Sequence, residues 1–278
     1  MNFYENLKNF DVTNFSEQSL TQISDNDGQL SPEMYLKMGV KLPRGRWRPQ
    51  VAILLGEDYG PNKEGCNCPV ISLQVSMILA RAAAYRIKRI SNAGQLFGCD
   101  LLVLPQAQFD LPSQFFLTSA KEVKFSLEAE VFARCIVEAV NMGIPILAIG
   151  NSTLLMAGMG GLKLCRREDI ETPFEHEKME HAIEVEQDSP FIELNNLKVS
   201  SQHSAFVAPP KVQREELKLK ADETLPFWAF ARDGMPEGIG DFEHGIIGIQ
   251  WLPNFYEQKE QMMILAWLCN KAEEKRDL

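Results

Sequence analysis

The stretch Gly143-Ile144-Pro145-Ile146-Leu147-Ala148-Ile149-Gly150-Asn151-Ser152 limits this chain's fold more than any other. So uniform a short apolar run suits a strand buried on both faces. The Gly150-Asn151-Ser152 step after it marks a sharp turn into a helix. That helix reads on through Thr153-Leu154-Leu155-Met156-Ala157 to Gly158, Gly160 and Gly161. A strand that turns directly into a helix places its turn residue at the carboxyl edge of a sheet. There the first amides of the helix favour an anion or a thiolate.

The rest of the chain alternates in the same sense. Val51-Ala52-Ile53-Leu54-Leu55, closed by Gly56, reads as a buried parallel strand, and 101–104 as the next. Apolar residues spaced three and four apart predict helices over 71–90, 126–142 and 262–271. This alternation implies a doubly wound, mostly parallel sheet flanked by helices, with a ligand crevice at the carboxyl ends of its strands. Residues 1–46 read as an N-terminal extension and 47–278 as the domain. In the extension, Asp25-Asn26-Asp27-Gly28 signals a turn and Ser31-Pro32-Glu33-Met34 the start of a short helix. The extension is expected to pack on the domain, with partner binding as the alternative.

Composition removes whole classes of function. With 278 residues, 45% of them apolar, the chain can bury a single substantial core. A formal charge of −10 argues against nucleic acid, which selects a clustered basic face. The basic cluster Arg44-Gly45-Arg46-Trp47-Arg48 reads as a solvated lead-in to the first strand. No apolar run approaches the roughly 20 residues that span a bilayer, and no export peptide is visible. Six cysteines without a secretory signal suggest reduced thiols and a cytoplasmic location. Cys66-Asn67-Cys68 lacks the second pair that a zinc site needs. His176-Glu177-Lys178-Met179-Glu180-His181 spaces its histidines five apart instead of four, off a common helical face, and reads as a solvated surface segment. Neither a metal nor a cofactor is expected.

Four further blocks follow one another along the chain. They are Asp100-Leu101-Leu102-Val103-Leu104-Pro105-Gln106-Ala107-Gln108-Phe109-Asp110, Val199-Ser200-Ser201-Gln202-His203-Ser204-Ala205-Phe206-Val207, Ala231-Arg232-Asp233-Gly234-Met235-Pro236-Glu237-Gly238-Ile239 and Gly248-Ile249-Gln250-Trp251-Leu252-Pro253-Asn254. In order and spacing, these and the strand–turn–helix resemble the class I glutamine amidotransferases, over roughly residues 50–267. The resemblance is strongest to the γ-glutamyl hydrolase branch, which includes γ-glutamyl-γ-aminobutyrate hydrolases. It implies a flavodoxin-like α/β fold with a cysteine at the turn, a histidine and a glutamate in the last block, and paired glycines forming an oxyanion hole.

On this chain those positions hold Gly150, Leu252, Asn254, Gln106 and Ala107. The step from Gly150 to Gly160 is ten residues where the family has eleven, so Asn151 is the alternative apex. Glycine forms no thioester, leucine accepts no proton, and asparagine supplies no full charge to an imidazolium. The resemblance therefore implies a pseudoenzyme with no catalytic residues. The residues left to contact a ligand in the crevice are Gln106, Ala107, Asn151, His203 and Gln250.

Three functions remain open. The first is an inactive protein that binds an unidentified protein partner. The second is a module that holds a γ-glutamyl or related small molecule without cleaving it, and the third a hydrolase whose nucleophile has moved to Cys165, Cys66 or Ser152. The resemblance also admits a homodimer.

Overall fold

The computed structural model describes residues 1–15, 49–54, 86–107, 109–118, 122–169, 180–200, 205–220, 222–253 and 259–276. Its strands are β1 (Gln50–Leu54), β2 (Arg86–Ile90), β3 (Leu101–Leu104), β4 (Ile146–Ile149), β5 (Leu164–Arg166), β6 (Glu180–Val185), β7 (Lys198–Ser200), β8 (Ala205–Val207), β9 (Phe227–Ala231), β10 (Pro236–Asp241) and β11 (Ile246–Ile249). Its α-helices are α1 (Phe3–Lys8), α2 (Leu127–Asn141), α3 (Asn151–Met159), α4 (Pro210–Glu216) and α5 (Met262–Arg276).

Nine strands form one sheet in the order β2-β1-β3-β4-β11-β10-β9-β6-β7, and β5 and β8 form a separate antiparallel pair. From β2 to β11 every neighbouring pair is parallel. From β11 to β7 every pair is antiparallel. Only β10 and β6 therefore run against the rest of this sheet. The doubly wound, mostly parallel α/β fold expected from the sequence is the fold observed.

Both faces of the sheet are buried, as its continuous apolar strands require. Ile146 and Ala148 of β4 point into one core with α1, α2 and α3. Leu147 and Ile149 point into the other, beneath α5 with Trp228 and Trp251. The parallel half is thus covered by helices on both sides. Helix α2 begins as its sequence dictates: the Ser126 hydroxyl accepts the Ala129 amide at 3.2 Å, with Glu128 and Glu130 in the first turn.

Helix α1 shows where the described part of the N-terminal extension goes. The Asn2 side chain caps it by accepting the Glu5 amide at 3.0 Å, and Phe3 and Leu7 are buried against the domain. The Phe3 ring fills the space that a side chain at Gly160 would need, and the Asn6 amide donates to the Gly160 carbonyl at 2.9 Å. Tyr4 stacks on His244 with ring centroids 3.6 Å apart. Residues 1–15 therefore pack on the domain. The turn and helix expected at 25–34, and the basic cluster 44–48, lie outside the described residues.

Two sequence expectations require correction. The helix expected over 71–90 ends instead in a strand, β2, while 71–85 lie outside the described residues. Ile87 and Ile90 are three apart, which suits one face of a helix. On a strand the same spacing sends them to opposite faces, and they do enter opposite cores. The second correction is His181, expected in solvent. It lies on β6, which alternates exposed and buried residues, and its Nε2 is 3.3 Å from Glu237 Oε1 in the interior.

Candidate functional site

The site is built where β4 becomes α3. Its apex is Gly150, with φ 60° and ψ −123°, a conformation open to glycine and strained for any L side chain. The turn is held from both sides. The Gly150 amide donates to the Ile249 carbonyl at 2.8 Å, the Thr153 hydroxyl donates to the same carbonyl at 2.8 Å, and the Thr153 amide returns to the Gly150 carbonyl at 2.9 Å. Asn151 is the first residue of α3, so Gly150 and not Asn151 sits at the apex.

The loop after β3 is stapled to this turn. Ser152 Oγ donates to the Pro105 carbonyl at 2.5 Å, and Asn151 Nδ2 donates to the Phe109 carbonyl at 2.7 Å. A third bond runs the other way, from the turn's backbone to a side chain of the loop: Gln106 Oε1 accepts the amide of Asn151 at 2.5 Å. Gly150 offers the helix no side-chain cap, and Gln106 reaches across from the neighbouring loop to satisfy its first amide. A Cβ built on Gly150 would fall on the Gln106 carboxamide. The space over the apex is therefore filled from within the chain.

The other candidates take different places. Ala107 is buried beside Gln106. Gln250 is 2% exposed, and its carboxamide is committed to the fold. Its Nε2 donates to the Pro236 carbonyl, and its Oε1 accepts the Val207 amide at 3.4 Å. Leu252 is half-buried against the core under α5, and its amide donates to the Ser200 carbonyl at 2.9 Å. The structure thus brings together Gly150, Asn151, Gln106 and Ala107, and sets Gln250 to bracing β8 and β10. His203 and Asn254 lie outside the described residues.

Of the groups considered as relocated nucleophiles, the two among the described residues, Ser152 and Cys165, are enclosed. Ser152 is fully buried, and its hydroxyl proton is committed to Pro105. Cys165 is fully buried, and desolvation, assisted by Asp169, pushes its thiol up to about 12. Burial raises Cys135 further still and raises Cys99 as well. A thiol in such surroundings supplies almost no thiolate at neutral pH. Cys66 lies outside the described residues. Among the described residues no three potential metal ligands converge, and no helix is long and apolar enough to cross a membrane.

No protein-family model matches the sequence, and no curated protein matches it. Solved structures are similar to it at low identity. A glutamine amidotransferase from Thermotoga maritima matches with a TM-score of 0.47 and 13% identity, covering 83% of this chain and 86% of that one. PurLQS from the same organism matches with a TM-score of 0.47 and 14% identity, over 82% and 97% of the two chains. A glutamine amidotransferase from Methylobacillus flagellatus gives 0.44 and 11%, over 79% and 76%.

What the site does chemically follows from its own geometry. The first amide of the elbow helix is held by a carbonyl oxygen of the chain's own, that of the Gln106 carboxamide. Nothing at the apex can attack a carbonyl. Reading residues one position at a time treats Gln106 as a lost glycine and Gly150 as a lost cysteine. The missed signal was their complementarity: one loop carries a carboxamide where the facing turn carries no side chain. A cavity of about 510 Å³ lies away from the elbow, lined by Met1, Phe3, Leu225, Trp228 and Phe242 among others, and none of the candidate residues borders it.

Proposed function

We propose that this chain is a catalytically inactive glutamine amidotransferase-like protein, of the γ-glutamyl hydrolase-like type, that acts in the cytoplasm by binding a protein partner. One observation carries the inactive reading: the apex of the elbow is Gly150, and the Gln106 carboxamide occupies the space above it. Acyl transfer at such an elbow needs a nucleophile, a base and an empty oxyanion site together. Gly150 and Leu252 stand where the first two belong in the family pattern, and Gln106 fills the third. The enclosure of Ser152 and Cys165 weighs against relocated chemistry. With the inherited crevice filled by the chain's own side chain, recognition falls to the outer surface, which supports a protein partner over a small ligand.

The test is a turnover assay on the purified protein, following ammonia release from glutamine and hydrolysis of γ-glutamyl-γ-aminobutyrate. Rates equal to those of the protein-free reaction are expected. Steady turnover that one point mutation abolishes would overturn the reading. A thermal-shift titration with the same compounds covers the ligand alternative, because a ligand that binds only the native state raises the melting temperature saturably. A flat response is expected, whereas saturable stabilisation would reassign the protein as a small-molecule binding module.

A further inference from the structure

We infer that Gln106 and Gly150 form one coupled device, in which the Gln106 carboxamide is an intramolecular ligand closing the elbow pocket and Gly150 is the vacancy that admits it. The inference rests on the geometry of the elbow alone and holds whether or not the protein works through a partner.

Three features carry it. Gln106 Oε1 accepts the Asn151 amide at 2.5 Å, at the positive end of a nine-residue helix whose own N-cap has no side chain to offer. A Cβ at position 150 would overlap both the oxygen and the carbonyl carbon of that carboxamide, so the closed state and a side chain at the apex exclude each other. Two further staples, from the Ser152 hydroxyl to the Pro105 carbonyl and from the Asn151 carboxamide to the Phe109 carbonyl, hold the loop regardless of where the Gln106 side chain points. The plug can thus swing away without dismantling the loop. Gln106 is itself only half-buried, which leaves its side chain an exit to solvent.

A simple helix cap and a coupled plug make different predictions. If Gln106 merely caps α3, changes at 106 and 150 act independently. If the two are one device, a side chain at 150 expels the plug, and the cost of losing it is counted once. The experiment is a double-mutant cycle of Gly150→Ala and Gln106→Ala on the full chain. It is read by urea unfolding and by hydrogen exchange of the Asn151 amide.

Gln106→Ala is expected to speed exchange of the Asn151 amide at least tenfold. Gln106→Glu, which keeps an acceptor oxygen, is expected to preserve the protection. Gly150→Ala is expected to expose the same amide although position 106 is untouched. It is also expected to shift the unfolding equilibrium at least fivefold less in the Gln106→Ala background than in the wild type. Equal shifts in the two backgrounds, or an Asn151 amide indifferent to Gln106→Ala, would overturn the proposal. If Gly150→Ala does not fold, the double variant decides: a chain carrying both Gly150→Ala and Gln106→Ala that folds supports the plug, and one that also fails to fold overturns it.

Discussion

At the scale of single residues, burial decides which groups remain chemically active. Cys135 and Cys165 sit with no exposed surface, and desolvation raises both thiols above the ordinary value of 9.0. In the unfolded chain these thiols ionise above pH 9, and in the folded chain they stay protonated. The unfolded state therefore binds fewer protons than the native state in this range, and stability falls as pH rises. Their contribution is fully present below pH 9.0 and is lost as pH climbs from there through the folded values, which for Cys165 is about 12. Each such thiol steepens the fall by at most about 1.4 kcal/mol per pH unit. Urea unfolding at pH 8 and pH 10 checks this: a variant carrying Cys135→Ala and Cys165→Ala should lose less stability between the two pH values than the parent. The difference between the two proteins is the informative quantity.

At the scale of elements, the elbow helix is supported from behind by the N-terminal segment. Helix α1 lays Phe3 over Gly160 and ties Asn6 to the Gly160 carbonyl, at the far end of α3 from the apex. Phe3 is 4% exposed, so Phe3→Ala should leave a cavity and cost about 3 kcal/mol. Urea denaturation measures the loss, and a change below about 0.5 kcal/mol would show α1 to be loosely docked. Segments that carry their own local signal were legible in the sequence. The apolar spacing over 126–142 announced α2, and the unbroken apolar runs announced β1, β3 and β4. Strand β2 was not legible, because Ile87 and Ile90 fit a helix period equally well and only pairing with β1 selects the strand. His181 was misread for the same reason: its acidic neighbours suggest solvent, while its partner Glu237 is more than fifty residues away in sequence.

At the scale of the whole molecule, the sheet is the common wall of two cores, one under α1, α2 and α3 and one under α5. Each of the central strands β3, β4 and β11 supplies side chains to at least one core and shares its backbone bonds with the others. Neither face can melt while the other keeps its strands in place. Unfolding followed by tryptophan fluorescence, to which Trp228, Trp251 and Trp267 contribute from the α5 side, should therefore coincide with unfolding followed by helical circular dichroism. Separate midpoints would reveal two independent units. The candidate site was legible at the same coarse level: the elbow and its apex could be found from Gly143 to Ser152, and the loop facing it from Asp100 to Asp110. The contact between them was not, since it needs the distance from Gln106 to Asn151, which no spacing along the chain encodes.

The pairing of Gly150 with Gln106 also bears on which mutational paths could place a nucleophile at the apex. A cysteine arriving at the apex while Gln106 is present collides with it, and a smaller residue arriving first at 106 leaves a helix end uncapped and gains no chemistry. Each single step is a loss. The elbow behaves as a ratchet: sequences can drift widely around it, but the route to a working nucleophile crosses a valley at least two substitutions wide.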